Sequence, residues 1–448
     1  GSRASSGRKR PLIVATPEAL DAHPPEFTKP ILVYEQVTGC DVEKYLPILG
    51  RIQDGCRGEV ALAVQSAGYF ARTKRLRSIT TNLRNIAPLP DLEEARRTMP
   101  TVSDIIGWNE GWSHSPGPPL PRWFQRAFPS GHLNVLNTKL HQSKLSLERM
   151  EAYFKENLIE KDANGHLRRD VHGTYVFKEE ANGCYKTEEY KNCHFEIKRF
   201  NYVPCREGLP RTLEKAERCQ LMGFPRRHLD GYGLMRTSIS DRQGAEYIGD
   251  SFQVDTFAHI FGSLKRMQEC GEVPRDGITV LSLFDGIGGA GAALLKAGIR
   301  VKKVILAEVD QTRVEIASKF WQHHYPHITE EKKTLVLHKG NLQRSDTLTQ
   351  HYIRGLVYEE QGDKLVAQQG IDLVIGGSPC RQISRFSKDH EQGLEGPDSA
   401  LFNQFSLILT WVKEAYEKLS TKSELMAKDR EVEALRAQLQ QTQNSRTI

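Results

Sequence analysis

At 448 residues the chain is long enough for two or three domains, or for one large α/β domain with an insertion, so its core needs no help from disulfides or metal. A formal charge of +6 suits a polyanionic partner but falls short of domains that announce nucleic acid by charge alone. Cys40, Cys56, Cys184, Cys193, Cys205, Cys219, Cys270 and Cys380 form no CxxC pair and follow no signal peptide. Reduced thiols in an intracellular compartment are therefore expected, and no apolar stretch is long enough to cross a bilayer.

Residues 1–28 read as a flexible lead-in, with Gly1 and Ser2 as a tag scar and Gly7 to Pro11 as either a nuclear-import patch or a solvated tail. The run from Lys29 to Glu35 has the continuous apolar character of a buried parallel strand with an acid at its carboxyl end, where open α/β sheets place their chemistry. From about 90 to 210 the chain is polar, with Trp108, Trp112 and Trp123 near Arg122 and Arg126, and predicts an inserted recognition region or an irregular structural one. Helix-like runs follow at Thr212 to Gly223 and Gly249 to Lys265, then a strand at Ile278 to Phe284, a glycine loop and a helix at Ala290 to Ala297. Strands at Val304 to Ala307 and Ile371 to Ile375 complete an α/β pattern that argues for a mostly parallel, doubly wound sheet. The domain is expected over 29–412, followed by a charged helical tail over 413–448 whose Leu425, Val432, Leu435 and Leu439 have coiled-coil-like spacing.

Gly286, Gly288 and Gly291 satisfy GxGxxG between a predicted strand and a helix, where backbone must approach a ligand closely. Glu308, 20 residues after Gly288, ends the next strand and can accept hydrogen bonds from ribose hydroxyls. An adenosine-containing cofactor follows, either a dinucleotide or S-adenosylmethionine.

The segment Asp372 to Cys380 decides between them. Hydride transfer has no use for a thiol at this strand end, whereas methylation at cytosine carbon 5 requires a thiolate to add at carbon 6. Pro379 stiffens the turn that presents the sulfur. An isolated Pro-Cys pair is usually structural; its place after Gly376 and Gly377, on a strand of the same sheet, makes Cys380 the candidate nucleophile. Glu35 supplies the complementary acid, which protonates ring nitrogen 3 of a base that must be flipped out of the duplex. Cys184, Cys193, His194 and Cys205 fit no common zinc spacing, so no metal is expected.

Val280 to Gly289, Gly376 to Cys380, Gly393 to Gly396 with Ser399, Leu401 and Phe402, and Gly249 to Thr256 together resemble cytosine-5 methyltransferase motifs. The Glu35 and Gly249 motifs precede the cofactor loop and the Cys380 motif closes the domain. That order is similar to the plant domains-rearranged DNA methyltransferases, as are Leu221 to Pro225 and Ser251 to Thr256. The resemblance implies a Rossmann-like S-adenosylmethionine-dependent methyltransferase fold with an inserted target-recognition region. It also implies de novo DNA methylation in plant nuclei, gene silencing guided by small-RNA machinery, and homodimers through the catalytic domain. It assigns cofactor contacts to Phe284, Asp285, Gly286, Ile287, Gly288, Gly289, Glu308, Val309, Asn341, Leu342, Ser378, Asp250 and Ser251. Arg122, Arg126 and Arg381 are the expected DNA contacts.

Several positions depart from the family. Asp250 replaces an Asn and would place a negative charge near the cofactor; Asn341 and Leu342 stand where an Asp commonly meets the adenine amine; Arg381 and Gln382 replace paired asparagines. Ser66 to Tyr69 lacks the family's arginine, whose role passes to Arg72, Arg75 or Arg77, or to nothing; Arg75 and Arg77 are the catalytic candidates. These departures motivate a second hypothesis, a catalytically weak paralogue that dimerises with or scaffolds active complexes.

Overall fold

The computed structural model describes residues 30–37, 61–66, 70–73, 76–108, 119–133, 140–178, 196–235, 238–340, 342, 348–362, 364–368, 370–377 and 401–421. Seven strands form the main sheet: β1 (Ile31–Val37), β2 (Ala61–Ser66), β3 (Leu76–Thr81), β4 (Ile278–Leu283), β5 (Val301–Glu308), β6 (Leu335–Lys339) and β7 (Leu373–Gly376), in the order β2-β3-β1-β7-β4-β5-β6. The five from β1 to β6 in that order run parallel, while β3 pairs antiparallel with both β1 and β2. The fold is α/β and Rossmann-like.

Side chains alternate across a strand, and here both faces are covered, which explains the unbroken apolar runs. Ile278 and Val280 of β4 and Val304 and Leu306 of β5 face one core. There α1 (Asp241–Asp250), α2 (Val254–Cys270), α3 (Gly289–Lys296) and α4 (Gln311–His324) contribute Ile248, Phe257, Phe261, Ala293, Phe320 and Trp321. Leu281, Leu283, Ile305 and Ala307 face the other, covered by α5 (Gln350–Val357) and α6 (residues 401–421) through Ile353, Leu356, Phe402, Phe405 and Ile408. Each Leu, Ile, Val or Phe among them, fully withdrawn from water, is worth roughly 1.5–3 kcal/mol. The buried α6 residue Ala415 and Tyr416, whose hydroxyl bonds both N–H and carbonyl of Ile371, carry that helix past 412 without a break. Leu425, Val432, Leu435 and Leu439 lie outside the described residues.

From β4 the chain winds outward through β5 to β6, then crosses back to β7 on the far side of β4. The crevice beyond the carboxyl ends of β4 and β7 is thus the topological switch point, where such sheets hold ligands.

Among the described residues from 92 to 211, none joins this sheet. They form short helices, a 14-residue helix at Leu140–Tyr153 that ends in a π turn, and a two-residue hairpin of Val203–Pro204 with Pro210–Arg211. Trp108 and Trp123 are buried in a core continuous with the α2–α4 face, and Trp123 Nε1 donates to the Gly208 carbonyl at 2.9 Å. Trp112 lies outside the described residues.

The run Gly249 to Lys265, expected as one helical stretch, is two helices. Ser251 is extended and ends α1, while Gln253 caps α2 by accepting from the Thr256 N–H. Helix Thr212 to Gly223 contracts to Lys215–Leu221, begun by a box in which Glu214 and Glu217 exchange bonds.

Candidate active site

Two carboxyl ends build the first half of the site. Leaving β4, Phe284 (φ 56°), Gly286 (φ 60°) and Gly288 (φ 87°) are all left-handed, and the turn delivers the chain into α3 with Gly288 at its N-cap. For Phe284, which has a Cβ, that conformation costs about 1–2 kcal/mol, a strain typical of ligand-handling turns. At the end of neighbouring β5, Glu308 is already tied to this loop. Its Oε2 accepts the Gly286 N–H at 2.9 Å, and its Oε1 accepts those of Val309 and Asp310 at 2.9 and 3.0 Å. The loop and the acid hold each other in place before any ligand arrives.

Beneath them Asp285 is buried, bonded through Oδ1 to the Ser282 hydroxyl, with Oδ2 lacking a hydrogen-bond partner. Burial, reinforced by the nearby Glu308 charge, pushes its carboxyl up to about 7. A Cβ at Gly286 would meet nothing within 4 Å, so the front of the loop is clear. An open cradle, a fixed diol acceptor in Glu308, the exposed apolar Val309 and an unpartnered buried acceptor fit an adenosine-bearing ligand.

The second half lies on β1, β3 and β7. Glu35 ends the core run of β1 and pairs with Arg77 of β3, Nε to Oε1 at 2.6 Å, both side chains mostly buried. The antiparallel register explains the meeting: Val37 faces Arg77 and Glu35 faces Ile79, so Glu35 and Arg77 are diagonal neighbours on one face. The other oxygen, Oε2, lies against the backbone of Gly377, where an added Cβ would sit 3.2 Å from it and 3.1 Å from the Phe252 ring. Only glycine allows the chain leaving β7 to pass this close to the acid. The strand pair β1–β7 thereby aims Glu35 at the segment that leads, three residues on, to Cys380.

Phe252 joins the halves. It stacks on Phe257 at 4.5 Å, and a Cβ on Gly289 would meet it at 3.2 Å, so one ring separates the glycine loop from the Gly377 turn. The expected residues around it distribute unevenly. Asp250 does not present a free charge to the cofactor, because Arg313 of α4 binds its carboxylate at 2.7 Å and lies over the Tyr247 ring at 4.7 Å. Ser251 is buried and donates to the Ile248 carbonyl. Leu342 is buried in the α5–α6 core. Arg72 is directed away from Glu35, donating to the Pro100 and Arg96 carbonyls. Arg122 and Arg126 are exposed on helix Arg122–Ala127, whose Trp123 and Phe124 are buried. Arg75, Asn341, Ser378, Cys380 and Arg381 lie outside the described residues. Phe252 and Arg313 were not singled out for roles in the sequence; their contacts depend on the break between α1 and α2.

No family model matches the chain. It is 34% identical over 218 residues, 49% of this chain and 30% of the relative, to DNA (cytosine-5)-methyltransferase DRM2 of Arabidopsis thaliana. It is 35% identical over 219 residues, 49% of this chain and 31% of the relative, to DNA (cytosine-5)-methyltransferase DRM1 of the same plant. A third relative, 28% identical over 214 residues (47% of this chain, 26% of the relative), is the probable inactive DNA (cytosine-5)-methyltransferase DRM3 of Oryza sativa subsp. japonica. The chain spans about three tenths of the length of the curated relatives it matches.

Proposed function

We propose that this chain, a domains-rearranged-methyltransferase-like protein across the half it shares with these relatives, methylates cytosine at carbon 5 in DNA. The observation that carries the proposal is the Glu35–Arg77 pair beside Gly377, at the strand end that leads to Cys380. Arg77 fixes one carboxyl oxygen and leaves the other for ring nitrogen 3 of a flipped cytosine, where proton donation makes carbon 6 electrophilic. The Cys380 thiolate adds at carbon 6, carbon 5 takes the methyl group, and loss of the carbon 5 proton expels the sulfur. S-adenosylmethionine, bound along the glycine loop and Glu308, supplies that methyl. Asp285, Gly286, Ile287, Gly288, Gly289, Val309 and Ser251 would surround it, and Phe284 would pack near its methionine end.

In this reading the segment from about 90 to 210 is a target-recognition region inserted in a 29–412 domain, with Arg122 and Arg126 toward the phosphate backbone. Nuclear location, de novo action, homodimerisation and recruitment by small-RNA machinery belong to the same proposal. Among the described residues no helix is long and apolar enough to cross a membrane.

A catalytically weak scaffold subunit is the second reading, favoured by the relatives named probable inactive. Transfer of labelled methyl from S-adenosylmethionine to duplex DNA separates the two. Incorporation at cytosine that disappears in Cys380→Ala supports the enzyme; a folded chain that binds the cofactor yet transfers nothing supports the scaffold.

A further inference from the structure

The turn after Leu221 to Pro225 carries a histidine that the proposed chemistry does not use. His228 is completely buried, and its Nε2 lies 2.6 Å from the carbonyl oxygen of Ile287, the residue between the two left-handed glycines of the cofactor loop. A carbonyl only accepts, so Nε2 carries the proton and the ring is held as that tautomer. Nδ1 has no hydrogen-bond partner, so the imidazole is retained for a single bond. The rings of Phe224 at 4.4 Å and Phe320 at 5.4 Å enclose it. Desolvation in that aromatic cage holds its pKa down at about 4, so the ring is neutral near pH 7.

Several hydrogen bonds place the loop. Gly286 N–H reaches Glu308, Asp285 N–H reaches the Ala307 carbonyl and Gly288 N–H reaches the Asp285 carbonyl, all within the β4–β5 unit; the bond from His228 comes from a separate segment. The two glycines have no side chains with which to hold a position, so Ile287 is where the loop is gripped from outside.

We propose that His228 is a positioning residue for the methyl donor: its Nε2–H, donated to the Ile287 carbonyl, sets the glycine loop at the height from which it binds S-adenosylmethionine. The cofactor's identity rests on the proposed function, whereas the grip on the loop does not.

The test compares His228→Gln with His228→Met in the full chain. Both side chains are flexible and of similar size, and methionine suits an aromatic cage, but only glutamine restores an N–H donor. The first readout is amide hydrogen exchange over residues 284–291 without cofactor, with thermal melting as the fold control. His228→Gln is expected to match the parent, and His228→Met to exchange about tenfold faster through loss of one buried hydrogen bond, at a melting temperature close to that of His228→Gln. The second readout is S-adenosylmethionine binding. Affinity is expected to fall about tenfold in His228→Met and to be largely kept in His228→Gln, with turnover at saturating cofactor little changed. Equal exchange in the two variants, whether both fast or both slow, overturns the proposal. If the parent does not bind S-adenosylmethionine, the functional reading fails, while the exchange comparison still decides the role of His228.

Discussion

The two halves of the site are built differently. Around β4 and β5 the loop, the acid and the helix start are held by backbone hydrogen bonds, with Asp285 and His228 sealed beneath them. Around β1 and β3 the site rests on one ion pair and one close backbone passage at Gly377. The contrast suits the two tasks proposed for them: a cofactor of constant shape rewards a preformed cradle, whereas a base arriving from a duplex must be admitted before it is gripped. Damage to the second half should therefore cost turnover while sparing cofactor binding.

Glu35→Gln sharpens that comparison most. Methyl transfer is expected to fall by about 10²–10⁴-fold, the usual worth of a general acid, with S-adenosylmethionine affinity within about threefold of the parent when measured by calorimetry. A comparable loss of cofactor affinity would break the division. Arg77→Ala should follow Glu35→Gln in direction, with Arg77→Lys intermediate. Phe252→Ala attacks the wall between the halves. Removing a buried ring costs about 3–5 kcal/mol, read as a lowered denaturation midpoint, and both cofactor affinity and turnover should decline together.

The meeting of Arg77, rather than Arg72, with Glu35 was not legible in the sequence, because it depends on strand register. The pairing of Val37 with Arg77 puts the guanidinium on the face of Glu35, and a one-residue slip would turn it away. The half around β4 and β5 was far more legible: strand, glycine loop, helix and spaced acid are local, and Gly286 and Glu308 meet because consecutive parallel strands are adjacent. The break between α1 and α2 escapes a reading of the sequence because its signals are weak. Ser251 and Gln253 sit inside a run of helical period, and glutamine is an uncommon cap. The helix at Leu140–Tyr153 escaped for another reason, its polar residues interrupting any apolar stripe.

Within the cofactor half, acidity offers a finer test. Between about pH 4 and 6.5 the buried imidazole of His228 is neutral when folded and protonated when unfolded, so its contribution is whole above about pH 6.5 and is lost as pH falls to about 4. The Asp285 carboxyl does the reverse: its contribution is whole below about pH 3.8 and is lost as pH rises to about 7. The two slopes, each about 1.4 kcal/mol per pH unit, cancel where they overlap. Relative to the parent, denaturation of His228→Gln across about pH 4.5–6 should show stability falling with rising pH, and Asp285→Asn should show it rising. The smallest effect is expected at the rim. Asp250→Asn breaks a half-exposed ion pair worth at most about 1 kcal/mol, raising the cofactor KM up to about fivefold, and Arg313→Asp combined with Asp250→Arg should recover part of it.

The pairing of β1 with β7 joins Ile31 to Leu373, and β3 and β2 reach the sheet only through β1. On the ribosome β1, β2 and β3 are therefore made well before the strand they dock on, the β1 edge uncovered until β7 emerges. Contacts of such long sequence separation form slowly, so the acid and its arginine are made early while the site they serve can close only after β7 has emerged.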